Sequence, residues 1–201
     1  MFNTLYLVRH GEKQKIKGYP PLTALGQEQA KLTALYLSGK GVDFILSSPI
    51  LRAQQTAEAI SKKLNLPFET EPLLRERSNW GDDDGQTFED FLEMWNKSTV
   101  DRDWVPPVGD SSRNAGERIS RVINSPKYSD LNLVLVTHGG VIRDFLRNVF
   151  QEQLLDSVIP SFSSSLEDMI DEASVTTILM NQDKKVYELV ALNFTDHLSG
   201  L

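Results

Sequence analysis

Leu5-Tyr6-Leu7-Val8-Arg9-His10-Gly11-Glu12 has the pattern of a buried strand that stops abruptly at charged residues. Four apolar residues, rich in strand formers, run straight into an arginine, a histidine and a glycine. In an α/β sheet the carboxyl ends of strands are where ligands bind, so Arg9 and His10 are expected at that edge. Gly11 is expected to let the backbone turn sharply or approach a ligand closely. Taken alone, the dipeptide also fits a surface Arg-His pair at a strand end. The remainder of the chain separates the two readings.

Lys13 to Pro21 is polar, with lysines, Gly18 and two prolines, and reads as a loop. Thr23 is placed to cap a helix with Leu22, Gly26, Ala30, Ala34 and Leu37 at helical spacings, ended by Gly39 and Gly41. Asp43-Phe44-Ile45-Leu46 is a short strand, and Ser47-Ser48-Pro49 is a turn at its carboxyl end. A second helix starts near Ile50, with Ala53, Ala57, Ile60 and Leu64 on one face. Strand, helix, strand and helix in this order predict a parallel sheet with crossover helices. Leu131 to Val136, nearly all leucine and valine, predicts a central strand covered on both faces. It runs through Thr137-His138-Gly139-Gly140 into a helix with Val141, Phe145, Leu146 and Val149 inward. Residues 116–123 predict a short helix, and Ser161 to Ser165 a serine-rich loop. Val175–Met180 and Val186–Leu192 predict a closing hairpin across Asn181 to Lys185.

The expected architecture is a three-layer α/β/α sandwich with a mostly parallel central sheet, one domain over 1–201. An insertion (a cap) over about 68–130 is expected to lie across the C-terminal edge of the sheet. Within it, the stretch from Glu76 to about Gly109 holds all three tryptophans, Trp80, Trp95 and Trp104, with the run Asp82-Asp83-Asp84 and Pro106-Pro107. It is too aromatic for a disordered linker. The Asp run lacks the alternating ligands and terminal Glu of a calcium loop and reads as a solvated loop. Trp80, Phe88, Trp95 and Trp104 either line a pocket entrance or form the insertion's own small core; the core is expected for at least two. His197 reads as a solvated tail residue.

Composition narrows the function. At 201 residues the chain can bury one sizeable core. The net charge of −7 argues against nucleic acid as the main partner. No apolar run approaches the roughly 20 residues of a membrane span, and no signal peptide is read at the N-terminus. The absence of cysteine excludes disulfides, thiol catalysis and thiolate metal sites, and agrees with a cytoplasmic protein. If the ligand is an anion, its positive field must come from a few converging arginines.

Three strand ends carry related chemistry: Arg9-His10-Gly11, Ser47-Ser48-Pro49 with Arg52 in the following helix, and His138-Gly139-Gly140 at a helix start. In a parallel sheet all three meet on one edge. Two arginines, two imidazoles and helix N-terminal N–H groups make a receptor for a tetrahedral dianion. Arginine dominates, since its planar fork stays charged and a helix end supplies only about half a charge. A neutral imidazole held among arginines can attack phosphorus. The leaving alkoxide then needs a proton from a carboxylic acid kept neutral by its surroundings, for which Glu76 is the candidate.

These residues resemble the histidine phosphatase superfamily, phosphoglycerate mutase-like branch. The resemblance rests on Leu7-Val8-Arg9-His10-Gly11-Glu12 and Pro21-Leu22-Thr23-Ala24-Leu25-Gly26. It continues in Ser47-Ser48-Pro49-Ile50-Leu51-Arg52-Ala53-Gln54-Gln55-Thr56-Ala57 and Val136-Thr137-His138-Gly139-Gly140-Val141-Ile142-Arg143, and so reaches both halves of the chain. It implies His10 as the phosphorylated nucleophile, with Arg9, Arg52 and His138 on the phosphoryl group and Gly139 offering its N–H. Leu74-Arg75-Glu76-Arg77-Ser78-Asn79-Trp80-Gly81 is similar, more loosely, to the stretch carrying the acid, with Glu12 and Asp82 as rivals to Glu76. No metal and no cofactor are implied. His10 and His138 as metal ligands lack an evident third partner, and the adjacent arginines would repel a cation.

The fate of the phosphohistidine separates hydrolysis from mutase chemistry. A mutase needs further cations beyond the first phosphate site and a lid that excludes water. Here the interval from Glu76 to His138 is short and carries aspartates rather than a basic cluster. Lys13-Gln14-Lys15-Ile16-Lys17-Gly18 replaces the asparagine-containing loop of the mutases. These features favour a phosphatase acting on a small phosphorylated metabolite or a phosphoprotein, with no nucleic-acid or membrane partner. Phosphoglycerate mutase-type transfer is the alternative, and a non-catalytic phospho-ligand binding module a second one. Arg77 and Arg113 are candidates for a second anionic group, or else surface ion pairs with the acidic insertion.

Overall fold

Residues 2–181 and 184–201 are described by the computed structural model. The chain forms β1 (Asn3–Arg9), α1 (Ala24–Leu37), β2 (Phe44–Ser47), α2 (Leu51–Leu64) and β3 (Phe68–Thr70). It continues as α3 (Phe88–Val100), α4 (Ser112–Ile123), β4 (Leu133–Thr137), α5 (Gly139–Val149), α6 (Glu152–Val158), β5 (Val175–Asn181) and β6 (Val186–Phe194). The sheet order is β3-β2-β4-β1-β5-β6. β3, β2, β4 and β1 are mutually parallel, β5 runs antiparallel to β1, and β6 antiparallel to β5. The mostly parallel three-layer sandwich is therefore present, with the expected hairpin as its antiparallel edge. The hairpin's connecting residues Gln182 and Asp183 lie outside the described residues.

Alternation along the strands divides the core in two. Leu5, Leu7, Leu133 and Leu135 face Ala115, Ile119, Phe145 and Leu146 of α4 and α5. Tyr6, Val8, Val134 and Val136 face Ala34, Leu37, Ala53, Ala57 and Ile60 of α1 and α2. β4, flanked by β1 and β2, is buried along its whole length, as a strand covered on both faces must be. Thr23 caps α1 by accepting from the Gly26 N–H.

The boundaries of the insertion need correction. Residues 68–70 pair with β2 as an edge strand of the sheet. Helix α4 starts at Ser112 rather than residue 116, capped by Ser111, and its apolar face is part of the main core. The segment standing over the strand ends is thus about residues 76–110. Nor does that segment contain an aromatic core, because α3 buries only Ser98 and Thr99. The tail also differs from expectation. His197 stacks on Tyr36 and Phe194, with ring centroids 5.0 and 5.6 Å away, and is hydrogen-bonded to Thr33. Its pKa is lowered by burial, because the C-terminal turn folds back onto α1 instead of extending into solvent. Among the described residues no helix is long and apolar enough to cross a membrane.

Gly11 serves a backbone contact, not a ligand. A Cβ on Gly11 would lie 2.4 Å from the Gly26 carbonyl oxygen, and one on Gly26 would lie 2.0 Å from that of Glu12. The segment after β1 and the first turn of α1 are pressed together at two glycines. Gly26→Ala should force them apart and lower stability by about 1–3 kcal/mol, the usual cost of overpacking. Denaturant unfolding would show the reduced midpoint.

Candidate active site

Strand register brings the chemistry together. Arg9 lies opposite Thr137 in the β1–β4 ladder, and the next N–H, of His10, donates to the Thr137 carbonyl at 3.0 Å. On the other side of β4, the Ser48 N–H donates to the Val136 carbonyl at 2.9 Å. The ends of β1, β4 and β2 are therefore level, and His10, His138 and Ser48 emerge side by side.

The imidazoles of His10 and His138 meet edge to face, with centroids 5.1 Å apart, and both are buried. His10 Nδ1 lies 2.7 Å from the Gly11 carbonyl, an acceptor only, so Nδ1 carries the hydrogen and Nε2 the lone pair. Arg52 Nε donates to that Nε2 at 3.0 Å. Burial first, then Arg52 and Arg9, lowers the His10 pKa well below 6.5. Burial, Arg52 and His10 do the same to His138, which is hydrogen-bonded to the Ser48 hydroxyl at 2.7 Å. Both rings are neutral at physiological pH. Arg9 is held by Asp168 at 2.6 Å and by the Ile170 carbonyl, with Glu172 at 3.7 Å. Arg52 Nη1, Arg9 Nε and His138 Nδ1 are buried without protein partners. Donors of this kind, on two fixed guanidiniums beside a neutral imidazole, suit the oxygens of a phosphoryl group.

Glu76 faces the same space. Its carboxylate accepts from the Gly140 N–H at 3.1 Å, the Val141 N–H at 3.0 Å and the Arg77 N–H at 2.9 Å. Those donors favour the charged form, but burial outweighs them and the pKa is raised. Of the first N–H groups of α5, Gly139's is the one not committed to Glu76 or a preceding carbonyl. The rivals sit elsewhere. Glu12 accepts from the Thr23 hydroxyl at the start of α1, and Asp82 accepts from Tyr19 and the Asn79 N–H on the surface. Arg9, His10, Arg52, Glu76 and Gly139 line a cavity of about 390 Å³. Trp80, Phe88, Phe91 and Trp95 line the same cavity, so the tryptophans at 80 and 95 form a pocket wall, whereas Trp104 lies under Lys97 away from it.

Residues 5–193 match the family described as the histidine phosphatase superfamily (branch 1). The chain belongs to that superfamily. Its relatives within the superfamily differ in their names. The uncharacterized phosphatase PhoE of Bacillus subtilis (strain 168) is 30% identical over 203 residues, spanning 96% of each chain. The probable phosphoglycerate mutase GpmB of Proteus mirabilis (strain HI4320) is 34% identical over 160 residues, 72% of this chain and 74% of its own. The fold is shared with a phosphoserine phosphatase mutant of Entamoeba histolytica solved with phosphoserine. The TM-score is 0.70 at 23% identity, covering 98% of this chain and 99% of that one.

Of the residues expected in this histidine phosphatase site, His10, Arg9, Arg52, His138, Glu76 and Gly139 converge. Arg77 does not present a free guanidinium. It pairs with buried Asp144 at 3.2 Å, donates to Thr99 and the Trp95 carbonyl, and lies 3.7 Å from the Trp95 ring. It is not a surface pair, because the strand-end segment carries it under α3, where Asp144 of α5 meets it; it lines the cavity and its buried Nε has no protein partner. Arg113 is a surface pair with Asp103. Sequence reading missed Ser48 as the partner of His138, Asn79 at 3.4 Å from Arg52, and the Asp168–Glu172 segment that holds Arg9. Ser48 belongs to the Ser47-Ser48-Pro49 turn, where its place at a strand end was a usable signal; Asp168 and Glu172 carried no local one.

Asp144→Asn leaves the Arg77 charge buried without a counter-ion. A loss of about 3–5 kcal/mol in unfolding free energy is expected, together with faster proteolysis of the α3 segment.

Proposed function

We propose that this chain is a metal-independent phosphomonoester phosphatase that works through a phosphohistidine on His10. The observation that carries this reading is the His10 tautomer. Its Nδ1–H is fixed on Gly11, and its lone pair at Nε2 faces two arginines in a buried, cationic setting.

In the proposed cycle a phosphomonoester places its phosphoryl oxygens on Arg9, Arg52, His138 and the Gly139 N–H, and Arg52 Nε turns from the imidazole to the substrate. Nε2 attacks phosphorus, the ester P–O bond breaks, and Glu76 gives its proton to the leaving oxygen. Water then attacks the phosphohistidine, its proton passing to the Glu76 carboxylate. Inorganic phosphate leaves, and His10 and Glu76 return to their starting forms. The arginines act on charge that is present throughout, so their main contribution is holding phosphorus in line with Nε2.

A mutase is the second reading, favoured by the name of the Proteus mirabilis relative. It calls for a cation that grips a second anionic group of the substrate. Arg77 is bound to Asp144, and Arg143 donates to the Ser165 carbonyl at 2.7 Å, which supports hydrolysis over transfer. Phosphate release from a small phosphorylated metabolite, compared with formation of 2-phosphoglycerate from 3-phosphoglycerate, separates the two. The binding-module reading expects neither.

His10→Ala is expected to abolish turnover, with phosphate release measured in the presence of a chelator. Glu76→Gln should reduce hydrolysis of alkyl phosphates by about 10²–10⁴-fold and that of p-nitrophenyl phosphate, whose leaving group needs no proton, far less. The two pKa shifts set the pH profile. His10 must be neutral, and its depressed pKa keeps it so as pH falls through 6.5. Glu76 must be protonated, and its raised pKa carries that form above the ordinary 4.5. kcat/KM for alkyl phosphates should peak on the acid side of neutrality and fall as pH rises through the Glu76 pKa. Glu76→Gln should erase that alkaline limb.

A further inference from the structure

The cavity that holds His10 and the arginines is also lined by a run of aromatic rings. Trp80 and Phe88 meet with ring centroids 5.0 Å apart, Phe88 and Phe91 at 6.4 Å, and Phe91 and Trp95 at 5.8 Å, a continuous aromatic wall. The rim adds Ile16 and Leu166. Ile16, Phe88, Leu92 and Leu166 are 55%, 45%, 41% and 51% exposed, although all four line this one cavity. Large apolar side chains left uncovered around a single concave site mark a surface that a ligand covers.

The wall begins at the acid. A Cβ built on Gly140 would lie 2.7 Å from Glu76 Oε1 and 2.5 Å from Trp95 Cη2. The carboxyl that faces the leaving oxygen and the edge of the Trp95 ring thus crowd one point. Whatever is attached to that oxygen continues onto Trp95 and Phe91.

Charge points the same way. The cations lining the cavity are Arg9, Lys13, Arg52, Arg77 and Arg143. Lys13 stands with Arg52 and Arg9 at the phosphoryl end, where burial and Arg52 lower its pKa. Arg77 and Arg143 are each anchored on a protein acceptor, Asp144 and the Ser165 carbonyl, and their unpartnered Nε atoms are buried rather than exposed to the cavity's solvent. Of the acidic residues lining the cavity, Asp168 is paired with Arg9 beside Gly139, and Glu167 is exposed. A second carboxylate or phosphate on the substrate would meet aromatic rings and the like charge of Glu167.

We infer that the substrates are phosphomonoesters of uncharged alcohols with an apolar alkyl or aryl body, seated between α3 and the Ile16 and Leu166 rim. This rests on the proposed phosphatase reading and names the substrate class of that same site. The phosphoryl group supplies the reaction, and the apolar body supplies selectivity through the area it removes from water.

The test is a series of n-alkyl phosphates from methyl to hexyl, in which the leaving alcohol's acidity scarcely changes, alongside 3-phosphoglycerate. Phosphate release is measured for wild type, Phe88→Ala and Leu92→Ala. kcat/KM should rise about fourfold per methylene, hexyl phosphate should exceed 3-phosphoglycerate, and both variants should flatten the slope. Because the readout is the hexyl-to-methyl ratio, a loss of active protein common to both esters cancels. A flat or falling series, or a preference for 3-phosphoglycerate, overturns the substrate class and leaves the phosphatase reading standing. A rising series with the same slope in both variants overturns the assignment of the wall. No turnover of any ester overturns the phosphatase reading and this inference with it.

Discussion

The parallel pairing of β1 with β4 is the constraint on which the rest depends. Arg9 stands opposite Thr137, so His10 and His138 leave the sheet at the same height and reach within 5.1 Å of each other. Side chains alternate with a period of two along a strand, so a slip of one residue would send either imidazole to the other face. The two faces are already committed. Leu5 and Leu7 pack on α4 and α5, and Tyr6 and Val8 on α1 and α2, so a slipped strand would bury the wrong set on each side. The apolar core thereby fixes the geometry of the polar site.

Burial, and then the cations beside them, keep the two imidazoles neutral, and the concentrated cations also make the empty site electrostatically costly. Carboxylates brought from elsewhere in the chain offset that cost. Asp168 and Glu172 reach Arg9, and Asp144 neutralises Arg77 beneath the cap segment. The buried Arg77–Asp144 pair joins the segment over the strand ends to α5, and the guanidinium stacks on Trp95. One ion pair therefore places the aromatic wall of the cavity relative to the catalytic edge. Replacing it with apolar residues of similar volume can preserve stability and still lose that placement.

Some features were legible because their causes are local. The apolar run ending at Arg9-His10, the Thr23 cap and the leucine–valine strand before His138 each reflect backbone preference and periodicity within a few residues. Others were misread for a definite reason. Phe68–Thr70 is too short and too exposed to announce itself as a strand, and only pairing with β2 makes it one. Trp80, Phe88 and Trp95 have the composition of a small core, yet all three line the cavity, and α3 buries Ser98 and Thr99 instead. His197 sits near the end of the chain, and the strand β6 carries it back onto Tyr36.

From its sequence alone, this protein is an α/β sheet protein with two arginines and two histidines at its strand ends, in the pattern of the histidine phosphatases. Those properties follow from residue type and spacing. Tertiary structure alone decided the partners: Ser48 on His138, Asn79 on Arg52, Asp168 on Arg9, and Asp144 on Arg77. Such pairs join residues as much as 159 positions apart, and a long-range contact leaves no period in the sequence. Which charges remain free for a ligand is a property of that pairing, and it becomes readable only once the chain has folded.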